Sequence, residues 1–233
     1  NFKPPGNSAS YVLETRKVRM FAEASDTFGP NSRVIRFRLV DQGFWEPASS
    51  RIQFTIHNKD TTNALLPVCG PLGMFSRIRV FISGIQVENF DFVGESTVLM
   101  DRLKGPGRRI NDSTEHHLLT SPTGDAYQAI AASGARKVML ELPCGTTKNE
   151  KWMPLSLVSG GVTIEMELAD SDQAFDSSVH APSWELKDVS MLCSMHTVDS
   201  GLASSYAKHI LGGNSINFHT KSMVSTKHLI TGS

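Results

Sequence analysis

The sequence predicts an all-β protein: antiparallel sheets forming a sandwich or barrel, with short helices and one long insertion. Three observations carry that expectation. Apolar and polar residues alternate in segment after segment, turn residues separate those segments, and only two stretches show helical spacing. Successive side chains of a strand point to opposite faces, so alternation means one face on a core and one in water. Half-buried strands of this kind belong to antiparallel sheets, because central parallel strands read as continuous apolar runs.

The elements follow in chain order. Asn1 to Ser10, with Pro4, Pro5 and Gly6, reads as an arm. Ile35, Phe37 and Leu39 alternate with Arg36 and Arg38, and Ile52, Phe54 and Ile56 with Arg51, Gln53 and Thr55. Ile78, Val80 and Ile82 follow, with Arg77 and Arg79 between the first of them. Glu95 to Leu103 carries Val98, Leu99 and Leu103 ahead of a Gly105-Pro106-Gly107 stop, which fits a short helix.

Residues 105 to 135 are rich in Gly, Ser, Thr, Ala and His, and lack strand periodicity. So long a stretch without regular structure is expected to be an inserted loop with a role, such as contacting a neighbour. Strands resume with Val138, Leu140 and Leu142, then Val162, Ile164, Met166 and Leu168 against Thr163, Glu165 and Glu167. Trp184 and Leu186, then Val189, Met191 and Cys193, continue the pattern, and Ile216 and Phe218 close it. Between these, Asp199 to Leu211 shows helical spacing, with Asp199 or Ser200 as N-cap and Gly212 just past the end. Turns are expected at Phe28-Gly29-Pro30-Asn31, Asn58-Lys59-Asp60, Ser83-Gly84 and Ser159-Gly160-Gly161.

At 233 residues, 39% hydrophobic and 20% charged, the chain can bury a core without disulfides or a structural metal. Twenty-three Lys and Arg balance 23 Asp and Glu. Proteins that hold nucleic acid through its phosphates usually carry a basic excess, so nucleic-acid contact is not indicated. Cys69, Cys144 and Cys193 are odd in number and far apart, which suits a reducing compartment rather than a disulfide framework or a zinc site. No apolar run approaches the roughly 20 residues that span a bilayer, and no signal peptide opens the chain, so a soluble protein of the cell interior is expected.

Candidate chemistry is sparse. His116-His117 is a tempting metal pair, but neighbours on an extended chain point apart, and a solvated loop pair is the simpler reading. Gly105-Pro106-Gly107-Arg108-Arg109 has the look of a phosphate cradle, yet no strand leads into it and no helix is expected after it. Glu165 and Glu167 share a strand face, as a glycosidase pair would, though alternation with Ile164 and Met166 makes them an outward face. Arg36, Arg38, Arg51, Arg77 and Arg79 form either a basic stripe suited to a subunit interface or a salt-bridged sheet face. Asn111-Asp112-Ser113 matches a glycosylation sequon that stays silent without a secretory route, and Cys69 has no adjacent base to activate it. No catalytic, cofactor-binding or metal residue is therefore assigned, and no cofactor.

Three stretches carry a resemblance. The first is Arg51–Asp60 (RIQFTIHNKD), then Leu65–Gly70 (LLPVCG), Met74–Gly84 (MFSRIRVFISG) and Gln86–Asn89 (QVEN). The second is Trp152–Leu155 (WMPL) with Val162–Ala169 (VTIEMELA), and the third is Val198–Leu202 (VDSGL), Tyr206 and Ile210–Ile216 (ILGGNSI). In that order they resemble the amino-terminal jelly roll of the double jelly-roll major capsid proteins of polinton-like viruses, virophages and related double-stranded DNA viruses. Family members carry two jelly rolls, so this chain corresponds to the first and the start of the second. Gly213-Asn214-Ser215 lacks the lysine of the family pattern.

The resemblance implies an antiparallel eight-stranded jelly-roll sandwich, with an arm at 1–15, the first jelly roll at 16–197 and its insertion at 105–135. Residues 198–233 would be a helix and strand leading toward a second jelly roll. It implies a non-enzymatic major capsid protein that self-assembles into trimeric capsomers of an icosahedral shell in the virion. Its partners would be copies of itself, neighbouring capsomers, and penton and minor capsid proteins, with no small-molecule substrate and no membrane span. Two alternatives stay open: a single jelly-roll minor capsid or penton protein, and a carbohydrate-binding or cupin-like β-sandwich, which needs an aromatic platform or a His/Glu metal set.

Overall fold

The structure, a computed structural model, describes residues 11–41, 43–118, 120–124, 126–177 and 181–227. Ten strands occur in these residues: β1 (Val12–Phe21), β2 (Thr27–Phe28), β3 (Val34–Leu39), β4 (Phe44–Asn58), β5 (Phe75–Ile82), β6 (Ile85–Asp91), β7 (Ala135–Leu140), β8 (Met153–Pro154), β9 (Val162–Leu168) and β10 (Trp184–Val198). Four α-helices accompany them: α1 (Val93–Leu103), α2 (Pro106–His116), α3 (Ser171–Ala174) and α4 (Ser200–Leu211).

All strand pairs are antiparallel. The larger sheet has the order β1-β10-β4-β7, with two-residue β2 on β10 and β8 on β4; the smaller has the order β3-β9-β5-β6. Setting β2 and β8 aside leaves eight strands, four per sheet, whose chain order reads 1-8-3-6 and 2-7-4-5. The chain changes sheets at every step except β5 to β6. This is the jelly-roll order, two Greek keys folded over one another, and it meets the expectation from sequence.

The exception is a tight hairpin. Ser83 and Gly84 join β5 to β6 with φ of 53° and 77°. Two positive φ angles make a primed turn, whose twist matches that of the strands it connects. Gly84 takes this conformation freely, while Ser83 must adopt it with a side chain.

The alternation is realised in the core. In β3 every second residue is buried (Ile35, Phe37, Leu39), facing Ile52, Phe54 and Ile56 of β4 across the sandwich. Ile78 and Val80 of β5 and Ile164 and Met166 of β9 complete the smaller sheet's inner face; Leu186 and Met191 of β10 extend the larger one's. Phe54 meets Phe75 edge-on at 5.7 Å between ring centroids, and Phe175 meets Trp184 at 5.3 Å, geometries favoured by the ring quadrupoles.

Four expectations need correction. The 105–135 insertion is not a bare loop, because α2 begins at Pro106, directly after Gly105. Proline suits the first helical position, where its missing N–H costs nothing. The helix carries Ile110 as its single large apolar residue and buries only Ser113, so no apolar stripe announced it. β1 is a second departure. It starts at Val12 and pairs with β10 from Val198, so the last residues of the expected 1–15 arm belong to the sheet. Its mixed, mostly exposed pattern reflects an edge strand, and residues 1–10 lie outside the described residues.

Third, Ile216 and Phe218 lie in no strand; residues 214–227 are irregular. Their backbone bonds to side chains rather than to a sheet: Asn149 Nδ2 donates to the His219 carbonyl at 3.2 Å and Lys151 Nζ to that of Asn217 at 3.2 Å. The end of the expected strand region, 228–233, lies outside the described residues. Fourth, the five arginines do not make one stripe, as described next.

Candidate functional site

Each candidate side chain takes its place from the strand register. On the smaller sheet, Arg36 of β3 stands opposite Glu165 of β9, which stands opposite Arg79 of β5. Arg36 donates to Glu165 from Nε at 3.0 Å, and Arg79 donates to the other carboxylate oxygen. One step along, Arg77 pairs with Asp91 and reaches Glu167 at 3.5 Å. The outer face is thus a ladder of cross-strand opposite charges. Arg51 lies on the other sheet and pairs with Glu141. The salt-bridged reading holds for Arg36, Arg51, Arg77 and Arg79, whereas Arg38 stands opposite Thr163 with no ion pair among the described residues; Glu165 and Glu167 both face arginines, unlike a free carboxylate pair.

His116 ends α2, and its partial burial holds the imidazole below its ordinary 6.5, toward the neutral form. His117 is exposed at the helix end with φ of 60°. Among the described residues, no group of three or more His, Cys, Asp or Glu could hold a metal. Gly105–Arg109 does open a helix, against expectation, and there Arg108 and Arg109 donate their amides to the Gly105 carbonyl at 3.1 and 3.2 Å. Burial, and the nearby Asp101 charge, push the Cys69 thiol up to about 12. Burial does the same to Cys144, with Glu88 adding, and to Cys193, with Asp41 adding. Asn111 of the sequon sits on α2, and Ser113 turns inward to donate to the Ile110 carbonyl at 2.8 Å.

Sequence reasoning missed three polar devices that hold loops on the sandwich. Glu88 of β6 is buried and accepts from the Gly145 and Thr146 amides and the Thr146 hydroxyl, 2.7 Å from the first. Tyr127 of the insertion donates to Asp101 Oδ2 of α1 at 2.8 Å. Asn58 donates to the carbonyls of Asn63, Ile130 and Ala131, closing the insertion onto β4. None has a short-range signal, since every donor and acceptor pair except Asn58 and Asn63 is at least 26 positions apart.

The helix α4 follows β10 directly. Asp199 accepts from the Gly201 amide at 2.8 Å, as the N-cap expectation required. Tyr206 meets the Phe44 ring edge-on at 5.3 Å. Trp152 stacks on buried His196 at 3.8 Å and 6° between planes, and His196 also contacts Thr15 at 2.9 Å and Glu46 at 3.3 Å. Large apolar side chains stay in water on α1 (Leu99, Met100, Leu103) and at the end of α4 (Leu211).

No family model matches the chain, and no curated protein does. Solved structures do. The chain is similar to a chain of the PBCV-1 virus capsid, with TM-score 0.52, 9% identity, and coverage of 86% of this chain and 46% of that one. It is similar to a chain of the Sputnik virophage solved by cryo-EM, with TM-score 0.51, 11% identity and coverage of 86% and 51%. The Faustovirus major capsid protein gives TM-score 0.50, 7% identity and coverage of 90% and 58%. The chain shares its jelly-roll fold with these viral capsid structures. It spans about half the length of the solved chains it matches. A fold can be shared although few residues are, because core volume and alternation constrain residue class more than residue identity. Among the described residues, no helix is long and apolar enough to cross a membrane.

Proposed function

We propose that this chain is a jelly roll of a viral major capsid protein, a non-enzymatic building unit that self-assembles into trimeric capsomers of an icosahedral shell. One observation carries the reading: the eight principal strands run in jelly-roll order, and that fold is shared with three viral capsid structures over 86–90% of this chain. Neighbouring capsomers, penton proteins and minor capsid proteins are the expected partners, and the virion the expected location.

The surface chemistry supports it. Charged residues of the smaller sheet pair across strands, and the exposed leucines of α1 and α4 suit neighbours that cover them. Closed assemblies reuse the same patches on every copy, which a subunit with several polar and apolar faces permits. The test is size-exclusion chromatography with light scattering, joined to electron microscopy, on the full-length protein. Trimers or ordered lattices are the expected result. A species that stays monomeric at every concentration reached, with no lattice, overturns the proposal.

A further inference from the structure

The outer face of the larger sheet differs from that of the smaller one: two of its cations converge without a carboxylate. Gln53 of β4 lies between Lys137 of β7 and Arg19 of β1. Both neighbours are donors, so the amide oxygen turns toward them and accepts from Lys137 Nζ at 3.1 Å and from Arg19 Nη2 at 3.2 Å. Two positive charges therefore share one neutral oxygen. Two acids nearby are engaged elsewhere, Glu141 with Arg51 and Glu185 with Lys187 and Lys59. Neither Arg19 nor Lys137 has an ion-pair partner among the described residues.

Two further features adjoin the pair. Ser190 stands opposite Gln53 in the register and is 1% exposed, and its hydroxyl has no hydrogen-bond partner among the described residues. Beside Gln53 opens a cavity of about 470 Å³ lined by His117, Arg136, Lys137, Val138 and Met139. Its lining joins cations to apolar side chains, and exposed Phe21 lies across Ser190 on β1.

We infer that Arg19, Gln53 and Lys137 form a docking site for an acidic segment of a partner protein, one that alternates carboxylates with apolar side chains. A carboxylate would relieve the repulsion between the converged cations, and the cavity beside them would take the neighbouring apolar group. A phosphate polymer fits less well. It needs a row of cations, whereas here Arg19 and Lys137, with Arg136 in the cavity lining, stand beside apolar side chains in a chain of zero net charge. The site acts on a single chain and does not depend on trimer formation.

Fluorescence anisotropy of the full chain with a labelled peptide of alternating Glu and Leu tests this. The peptide should bind, with affinity falling as salt is raised, and a Gln-for-Glu version should bind at least about tenfold more weakly. The double variant R19Q/K137Q should lose about tenfold while keeping its melting temperature, both side chains being exposed. If that variant melts early, K137Q alone gives the same readout. Equal binding of the Glu and Gln peptides, or binding unmoved by the substitutions, overturns the inference. So does stronger binding of duplex DNA or inorganic phosphate than of the Glu peptide. Light scattering on the same sample reports assembly separately, so failure of this site and failure of the capsid reading remain distinguishable.

Discussion

Glu165 illustrates how one residue acquires its role from its neighbours. It is 6% exposed and receives Arg36 from one strand and Arg79 from another. Removing its charge leaves two guanidinium groups facing each other over a buried amide. Because both arginines are partly in solvent, the full cost of breaking a buried pair is discounted. Glu165→Gln is expected to lower stability by about 1–2 kcal/mol, read from urea unfolding; an unchanged midpoint would refute the ladder as a stabilising element. The cysteines give a second residue-scale expectation. All three thiols rise from the ordinary 9.0 to about 12, so the folded chain keeps protons that the unfolded chain releases. Above the unfolded value the unfolded state binds fewer protons, and stability falls with rising pH until the folded value is passed. Stability that is fully present at neutral pH should decline from about pH 9 toward pH 12, and less steeply in a triple Cys→Ala variant, as measured by unfolding at stepped pH. An identical slope in that variant would sink the assignment.

The β5–β6 hairpin is the element on which local chemistry speaks most clearly. Gly84 at φ 77° has open space around the position of a Cβ, so conformation alone resists substitution. Gly84→Val should cost about 1–2 kcal/mol, because a β-branched residue is strained at positive φ. Ser83→Asn should be neutral or slightly stabilising, as asparagine tolerates that region. Thermal melts of the two variants check this, and equal losses would show that packing rather than turn geometry governs the loop. α2 teaches the reverse lesson. Its sequence PGRRINDSTEH holds one large apolar residue, and only its proline start and its place beside β7 reveal the helix.

Across the whole molecule, zero net charge conceals an uneven distribution. The smaller sheet carries a neutralised ladder and the larger sheet an unmatched pair of cations. A shell subunit, as proposed for this chain, gains specificity from faces of different character, since wrong pairings then place like charges or unpaired groups together. Light scattering and peptide binding, set out above, test the two faces of this argument independently.

Much of the fold was legible in the sequence. Alternation at Ile35–Leu39, Ile52–Ile56 and Val162–Leu168 specified half-buried antiparallel strands, because a residue's face in a strand is set by its parity alone. Capping residues marked α4, and Ser83-Gly84 marked the hairpin, through backbone preferences that act over a few residues. β1 is hidden because an edge strand leaves most of its side chains in water, and Ile216 and Phe218 mimic a strand because they alternate without a sheet to join. The fate of the five arginines lay beyond sequence altogether. Whether Arg36 and Arg79 neutralise Glu165, or Arg19 and Lys137 stand together without a carboxylate, depends on which strands become neighbours. By itself the sequence determined strand faces and turns, which follow from local period and conformation. Tertiary structure alone decided which charges are matched, because electrostatic pairing depends on distance in space, and the jelly-roll order brings together residues more than a hundred positions apart.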